Sequence, residues 1–330
     1  MAILGMDISQ HTFDATVVDD TGARHHRQFA NTETGFHALD QWLSTYPVSD
    51  LHACMEATNV YWEDLAEHLF QQGYRVSVVN PARTKGFAIS QLQRNKTDKV
   101  DSGVIADFCE RLSPRSWHPP SPERRQLRDL VRHIDAVKKT RTQQINRMKT
   151  CRNPLVKRSL QTIIETLNAQ IANMEAEIET LCTTHATLHE QRMLLMSIQG
   201  IGATTATKIL AEMYDLDEYV NARAAAADGG VTPSHYESGT SVRRRSRLSK
   251  IGKASIRGAL YWPAITAMHH NPVIRDLKER LEKKGKAKKV IIGAAMRKLL
   301  HIVYGVLKNK IPFDANYVNK LKPSTVTCVD

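Results

Sequence analysis

Four acidic residues between positions 7 and 101 have the types and surroundings that suit phosphoryl transfer. Asp7 (A-I-L-G-M-D-I) and Glu56 (L-H-A-C-M-E-A-T) each end a short apolar, strand-like run. Asp98 and Asp101 lie three residues apart in N-K-T-D-K-V-D-S, which puts both carboxylates on one helix face. Carboxylates on neighbouring strand ends and a nearby helix can converge, and converged carboxylates favour hard cations such as Mg²⁺. The four residues therefore predict a two-metal site for phosphoryl transfer.

A second group, between positions 229 and 258, mixes hydroxyls with cations. Arginines hold phosphates bidentately, and a hydroxyl among them can attack phosphorus because the surrounding positive charge stabilises the transition state. The cations are Arg243, Arg244, Arg245, Arg247, Lys250, Lys253 and Arg257, and the candidate nucleophiles are Ser238, Thr240, Ser241, Ser246 and Ser249. Residue types alone do not choose among these hydroxyls, and a loop that only grips a phosphate backbone is an open alternative.

Positive charge is concentrated in the last third of the chain. Residues 231–330 hold 21 Lys and Arg against 6 Asp and Glu, a net charge of +15, whereas the first 230 residues have a net charge of −3. Such a field favours a polyanion, most commonly nucleic acid, over a merely solubilising surface. A second basic cluster that we expect to contact a nucleic-acid backbone consists of Lys283, Lys284, Lys286, Lys288 and Lys289.

The N-terminal acidic residues lie in a segment with an α/β pattern. Alternating residues predict three antiparallel strands, at about 2–9, 13–18 and 24–30. Helices and strands then alternate: helices near 34–45 and 61–72, strands at 51–56 and 74–80, and a further helix capped by Thr97. Pro81 is expected to close the last strand. This order suggests a mixed five-stranded sheet of the ribonuclease-H type.

Helices dominate the remainder after a proline-rich break at 113–122. Two long helices, one at about 123–150 and the next carrying Leu160 to Leu181, are parted by Asn153 and Pro154. They suggest a helical hairpin or a coiled coil between chains, with a core helix pair as the alternative. The second carries apolar residues at a period of about 3.5: Leu160, Ile164, Leu167, Ile171, Met174, Ile178 and Leu181. Further along, Gly200–Ile201–Gly202 resembles a helix-hairpin-helix turn suited to phosphate, or is an ordinary connection. We expect domains at 1–115, 120–190 and 191–330, the last mainly α-helical.

Cysteine usage and hydropathy bear on the compartment. The five cysteines are scattered, odd in number and without C-x-x-C, which argues against a disulfide framework and a zinc site. Met1 leads directly into a strand, so no signal peptide is predicted, and we expect no apolar stretch of membrane-spanning length. The expected location is the cytoplasm, in association with the nucleoid and without membrane contact.

The order D…E…D-x-x-D, the helical middle, G-I-G and then T-P-x-x-Y-E-S-G-x-S-V-R together resemble one family across the whole chain. These are the DEDD-type transposases of bacterial insertion sequences, related to pilin-gene invertases and including the bridge-RNA-guided recombinases. The resemblance implies a RuvC-like domain that binds Mg²⁺ through Asp7, Glu56, Asp98 and Asp101. One departure is Asn59, where relatives usually carry glycine.

The resemblance also implies a catalytic serine, which in Y-E-S-G matches Ser238. It would form a covalent phosphoserine link to DNA while an insertion sequence is excised and inserted. Implied partners are donor and target DNA and a non-coding guide RNA, and strand exchange by several active sites suggests a dimer or tetramer. Two other functions stay open: a RuvC-like structure-specific endonuclease that uses metal-activated water, and a non-catalytic nucleic-acid-binding protein.

Overall fold

A computed structural model describes residues 1–92, 97–216, 219–234, 237–238, 242–243 and 247–315. The chain divides into two compact units, Met1–Pro119 and Pro120–Asp330. Of the predicted phosphate-contacting and nucleophilic residues, Thr240, Ser241, Arg244, Arg245 and Ser246 lie outside the described residues.

The first unit contains a mixed five-stranded sheet, as predicted. Its strands are β1 (Ala2–Ile8), β2 (Thr12–Val18), β3 (Arg24–Ala30), β4 (Leu51–Glu56) and β5 (Arg75–Val79). They lie in the order β3-β2-β1-β4-β5. Strands β1, β2 and β3 pair antiparallel, whereas β4 is parallel to both β1 and β5. The predicted meander followed by alternating helices and strands is confirmed.

Helices cover both faces of this sheet. They are α1 (Glu33–Leu43), α2 (Glu63–Gln71), α3 (Pro81–Ser90) and α4 (Asp98–Leu112). Alternation along β1 sends Leu4 and Met6 to a core shared with α1 and α2. Ile3, which precedes Leu4 on β1, points to the core on the opposite face, together with Ile105 and Phe108 of α4. Odd-numbered positions of β1, including Asp7, therefore face α4.

Helix α3 is the element that the sequence interpretation missed. Pro81, expected only to close β5, is the first residue of this helix. Proline suits that position because its missing N–H would have no intrahelical partner. Asn80 caps the helix by accepting a hydrogen bond from the Ala82 amide at 2.8 Å. The predicted cap at Thr97 is confirmed, since its hydroxyl accepts from the Val100 amide at 3.3 Å.

The second unit is mostly helical. It contains α5 (Pro122–Thr150), α6 (Pro154–Thr184), α7 (Ala186–Met196), α8 (Ala203–Glu212), α9 (Ala222–Asp228), α10 (Ala254–Ala259), α11 (Tyr261–His270), α12 (Pro272–Lys283) and α13 (Lys288–Asn309). Between α9 and α10 lie four two-residue strands, β6 (Pro233–Ser234), β7 (Glu237–Ser238), β8 (Val242–Arg243) and β9 (Arg247–Leu248), paired as β6–β9 and β7–β8.

Helices α5 and α6 run antiparallel and pack along their length. Lys138 of α5 forms an ion pair with Glu175 of α6. Arg141, further along α5, donates a hydrogen bond at 3.0 Å to Asn168, which lies earlier in α6. The two helices therefore run in opposite directions. Five of the periodic apolar residues of α6 are buried within the chain, namely Leu160, Ile164, Ile171, Ile178 and Leu181. The periodic seam therefore serves packing inside this chain.

Helix α13 is long and apolar enough to span a membrane, the one such helix among the described residues. Half of its most apolar stretch is buried in the protein. The expectation that no apolar stretch reaches this length is therefore wrong as stated. Leu299, Leu300 and Val303 are fully buried in the core of the second unit, which accounts for the apolar composition of this helix.

Candidate active site on the N-terminal sheet

Asp7 and Glu56 lie side by side on neighbouring parallel strands. Met6 pairs with Met55, so the next residue on each strand, Asp7 and Glu56, reaches the same level near the carboxyl ends of β1 and β4. Adjacent strands are about 4.7–4.9 Å apart. Both acidic residues are half-buried. Their shared face is the one that α4 covers.

Helix α4 packs on this face with its backbone against β1. A Cβ atom on Gly5 would lie 2.3 Å from both the Ser102 carbonyl oxygen and the Ala106 nitrogen, so only glycine allows this approach. A buried hydrogen bond of 2.8 Å between the hydroxyls of Thr16 and Ser102 holds the same turn of α4 against β2. Gly5 thereby sets where α4 lies relative to Asp7.

The direction of α4 brings its first turn toward the two strand ends. Asp107, in its later half, forms an ion pair with Arg24. Arg24 is next to Val18, which pairs with Ile3 near the start of β1. The N-terminal end of α4 therefore lies toward the carboxyl end of β1.

Asp98 and Asp101 occupy that first turn. Asp98 is the first residue of α4, and the half-buried Asp101 donates its backbone N–H to the Thr97 carbonyl at 2.8 Å. The backbone thus brings the four predicted acidic positions to one corner of the first unit, which we call the acidic corner (Asp7, Glu56, Asp98, Asp101). Carboxylate oxygens are the ligands that hard divalent cations prefer.

Thr84, which the sequence interpretation missed, holds Glu56. This buried hydroxyl donates to the Glu56 carboxylate and lies 3.0 Å from the Pro81 carbonyl. Because Thr84 belongs to α3, missing the helix also hid the contact. The dipeptide Asn80–Pro81 was the available signal, since an Asx cap followed by proline marks a helix start.

Asp14 is a fifth carboxylate beside the acidic corner. It lies directly opposite Asp7 in the antiparallel register of β1 and β2, and therefore on the same face. Asp14 is buried, with His26 Nε2 at 2.8 Å and the donating Gln28 amide at 2.9 Å. An acidic residue within the alternating strand F-D-A-T-V-V was the signal for it. Its partners His26 and Gln28 both belong to β3.

Asn59, the departure from the resembling family, follows Glu56 closely in a turn. Its φ is +52°, in the left-handed region that favours glycine and that asparagine tolerates best among the other residues. The indole N–H of Trp62 donates to its carbonyl at 3.0 Å. Asparagine is therefore compatible with the backbone that glycine would adopt.

Ser238 is the last residue of β7 and pairs with Val242 of β8. Its neighbour Glu237 pairs with Arg243. Three residues, 239–241, separate the two strands. Ser238 therefore lies at the end of a short antiparallel pair whose second strand leads directly into the arginine-rich run.

The described basic residues near Ser238 differ in their environments. Arg247 and Lys250 are exposed. Lys253 instead forms a 3.0 Å ion pair with Asp228, and the Arg257 guanidinium donates to the Lys250 carbonyl at 3.2 Å. Two of the predicted phosphate contacts are thus engaged inside the unit. The second basic cluster is exposed at all five of its residues, Lys283, Lys284, Lys286, Lys288 and Lys289.

The two glycines of Gly200–Ile201–Gly202 have different surroundings. Gly200 has a φ of +105°, and a Cβ there would lie 2.7 Å from the Ala267 methyl and 2.9 Å from the Pro263 carbonyl. Gly202 precedes α8 and has no described neighbour within 4 Å of a Cβ. Packing on α11 explains the first glycine, whereas the second borders an open helix N-terminus.

Comparisons with known proteins cover both units. Residues 4–151 match an IS110-type DEDD transposase family, and residues 192–279 match the Transposase IS116/IS110/IS902 family. The chain is 32% identical to the pilin gene-inverting protein of Moraxella bovis over 314 residues, spanning 94% of this chain and 97% of that one. It is 23% identical to the transposase for insertion sequence element IS1328 of Yersinia enterocolitica, over 94% of each chain. The chain therefore belongs to the IS116/IS110/IS902 transposase family and is a DNA recombinase, an enzyme that cleaves and rejoins DNA strands.

Proposed function

We propose that this protein excises and inserts an insertion sequence by Mg²⁺-dependent strand exchange through a phosphoserine intermediate. The observation that carries the proposal is the acidic corner, where two strand ends and the first turn of α4 converge. A site made of carboxylates suits a phosphoryl-transfer enzyme, because bound Mg²⁺ offsets the negative charge of a phosphate. Asp7, Glu56, Asp98 and Asp101 are its proposed ligands.

Ser238 is the proposed nucleophile. Its hydroxyl oxygen forms a bond to a DNA phosphorus while the bond from phosphorus to the 3′ oxygen breaks. The 3′ oxygen leaves as a hydroxyl, taking up a proton in exchange for the one that serine loses, and the 5′ phosphate stays on the serine. Attack by the 3′ hydroxyl of another strand reverses these steps and joins the new strands. The cross-strand position of Arg243 beside Glu237 supports this assignment, because it brings the arginine-rich run next to β7.

The basic residues of the second unit hold the nucleic acids in this proposal. Exposed Arg247 and Lys250 and the exposed lysines at 283–289 contact phosphates of donor and target DNA. A non-coding bridge RNA supplies sequence specificity by base pairing, as in other RNA-guided systems. The open N-terminus of α8 after Gly202 offers backbone N–H groups to a further phosphate, in the manner of a helix-hairpin-helix.

Strand exchange requires several active sites, and we include a homodimer or homotetramer in the proposal. The domains are a RuvC-like catalytic domain at 1–115, a coiled coil at 120–190 and a transposase domain at 191–330. The periodic seam of α6 is buried within the chain, so contact between subunits would use other residues. Leu155, Val156 and Ile163 are exposed apolar residues in the first turns of α6 and supply such a surface.

The decisive experiment looks for a covalent protein–DNA adduct. Wild-type protein, with Mg²⁺ and its co-purified RNA, should form an adduct on cognate DNA that survives a denaturing gel. Ser238→Ala should bind the same DNA and form no adduct, whereas the matched variant Ser241→Ala should retain it. An adduct in Ser238→Ala would identify another nucleophile. Cleavage by the wild type without any adduct would establish the endonuclease alternative, in which water attacks.

Site-specific inversion is a second candidate function. It is favoured by the similarity, over nearly the full length, to proteins named for inverting a pilin gene. The same chemistry inverts a segment when its two ends lie in opposite orientations. Plasmids with recombination ends in direct or inverted orientation test this candidate: efficient recombination of inverted ends would support inversion, whereas recombination of direct ends alone, with release of the segment, would support excision.

A further inference from the structure

We infer that His37, Asp40 and His68 form a binding site for a transition-metal ion such as Zn²⁺. His37 and Asp40 belong to α1, and His68 lies in the last turn of α2. These helices cover the sheet face opposite α4. The proposed site is therefore separate from the acidic corner, and it does not depend on the proposed function.

The ligand atoms are already close to a coordinating arrangement. One donor atom from each residue lies within 4.8 Å of the other two. His68 Nε2 is 2.9 Å and His37 Nδ1 is 3.8 Å from the same oxygen of Asp40. Bonds of about 2.0–2.1 Å in tetrahedral geometry place zinc ligands roughly 3.4 Å apart. Small side-chain rotations would bring all three to that spacing.

The fold fixes these side chains for reasons of local structure. The i,i+3 spacing of His37 and Asp40 puts both on one face of α1. His68 packs against Phe36, with ring centroids 5.5 Å apart, and its ring lies edge-on to that of His37 at 5.6 Å. His68 is therefore held by packing, and the more exposed His37 leaves a route for the ion.

Asp40 provides an independent sign of a missing ligand. Its Oδ2 atom contacts the histidines, but its buried Oδ1 atom accepts no hydrogen bond from any described residue. A buried carboxylate oxygen without a partner has lost its hydrogen bonds to water and has gained none in the fold. A cation bound between the two helices would satisfy this carboxylate and would tie α1 to α2.

The donor set selects the class of ion. Two imidazole nitrogens and one carboxylate oxygen suit Zn²⁺ and similar first-row metals, whereas Mg²⁺ prefers oxygen ligands alone. Three protein ligands leave a fourth position for water. The first unit would thus hold two chemically distinct metal sites on opposite faces of its sheet.

Calorimetric titration of the full chain with Zn²⁺, in excess Mg²⁺, tests this proposal. The wild type should bind one Zn²⁺ ion per chain at this site, and Zn²⁺ should raise its Tm. His37→Ala should abolish both effects. The fold of this variant should survive, because 61% of the His37 side chain is exposed. His68→Gln should behave likewise. His133→Ala, which removes an exposed histidine of α5, is the matched control and should bind like the wild type.

Three results would overturn the proposal. Unchanged Zn²⁺ binding in folded His37→Ala, checked by circular dichroism, would show that the three residues are not the ligands. Equal losses in His37→Ala and His133→Ala would indicate non-specific histidine binding. Asp7→Asn should still bind Zn²⁺. A loss of Zn²⁺ binding in that variant would place the ion at the acidic corner.

Discussion

Gly5 of β1 lies directly against the backbone carbonyl of Ser102 in α4, at a separation that leaves no space for a side chain. Asp7 is two residues further along the same face of β1, and Asp101 immediately precedes Ser102. One close approach of strand and helix therefore sets the spacing between the strand-borne and helix-borne carboxylates.

Gly5→Ala should disrupt both the fold and the acidic corner. The new methyl group would meet backbone atoms, which cannot rotate away, so α4 must shift from β1. Overpacking of a core typically costs about 1–3 kcal/mol. We expect a loss of that size in the free energy of unfolding in urea, together with a loss of DNA cleavage.

Gly103→Ala is the matched control, since Gly103 lies on the same helix and a Cβ there has no described neighbour within 4 Å. Alanine should stabilise the helix by about 0.5–1 kcal/mol. Equal stability of Gly5→Ala and Gly103→Ala would show that the backbones do not pack this closely.

Asp101→Asn should abolish Mg²⁺-dependent cleavage without unfolding the protein. Asparagine has nearly the same shape but lacks the charge that would bind the ion. We expect cleavage to fall by at least roughly 10–100-fold, the loss that follows removal of even an outer partner of a metal ligand. Single-turnover cleavage across Mg²⁺ concentrations measures it.

Asp107→Asn provides the control for position, because Asp107 lies on the same helix near the other end of β1, paired with Arg24. It should cleave DNA at close to the wild-type rate. An equal loss in both variants would assign the effect to the helix and not to the acidic corner.

The sheet could be predicted from the sequence because it follows local rules, and the four acidic positions were proposed from rules of the same kind. Alternation along β1 and β2 and the i,i+3 spacing of Asp98 and Asp101 do not depend on distant residues. The contact of Gly5 with Ser102 joins residues far apart in the chain, and local patterns carry no record of it. Thr84 was missed for a different reason: proline was read as a stop when it began α3.

Ser238 shows a second limit of prediction from the sequence. Hydroxyls and arginines alternate from Ser238 to Ser249, so residue types rank none of them above the others. Only the resemblance to a family selected Ser238. Burial likewise depends on tertiary structure: charge alone made Lys253 a phosphate contact, whereas the fold pairs it with Asp228.

Asn59→Gly should leave DNA cleavage unchanged, and Asn59→Val should destabilise the turn after Glu56. The φ of +52° is accessible to glycine and tolerated by asparagine, whereas a β-branched side chain is strained there. Strain in such backbone regions costs of order 1–3 kcal/mol. Thermal unfolding of both variants measures it. A Tm of Asn59→Val equal to that of the wild type would contradict a left-handed conformation at this residue.

Gly200→Ala and Gly202→Ala should separate packing from phosphate binding. Gly200→Ala places a methyl group against Ala267 in a left-handed backbone, so it should lower the free energy of unfolding by about 1–3 kcal/mol. Gly202→Ala meets no described neighbour and should fold normally. If the N-terminus of α8 binds phosphate, Gly202→Ala should weaken DNA binding in a filter assay. Normal stability of Gly200→Ala would rule out the close contact with α11.

Glu212 should make the stability of the second unit depend on acidic pH. Arg132 binds the buried Glu212 carboxylate through two hydrogen bonds, of 2.9 and 3.2 Å, and so joins α5 to α8. Burial alone would raise the pKa of Glu212, but the hydrogen bonds and charge of Arg132, with Ser255 and Lys253, more than offset it. The pKa is therefore lowered from 4.5 on folding.

A lowered pKa means that this carboxylate stabilises the fold at pH values above its unfolded value. The stabilisation should disappear as the pH falls from 4.5, the ordinary glutamate value, through the folded pKa. Glu212→Gln should lose about 1.5–3 kcal/mol at pH 7, the worth of hydrogen bonds to a charged group, and its deficit should shrink in acid. Urea unfolding at a series of pH values measures this.

Glu175→Gln, which removes an exposed partner of Lys138, should have a much smaller effect at pH 7. A deficit in Glu212→Gln that is constant with pH would show that shape, and not charge, is what the wild-type residue contributes.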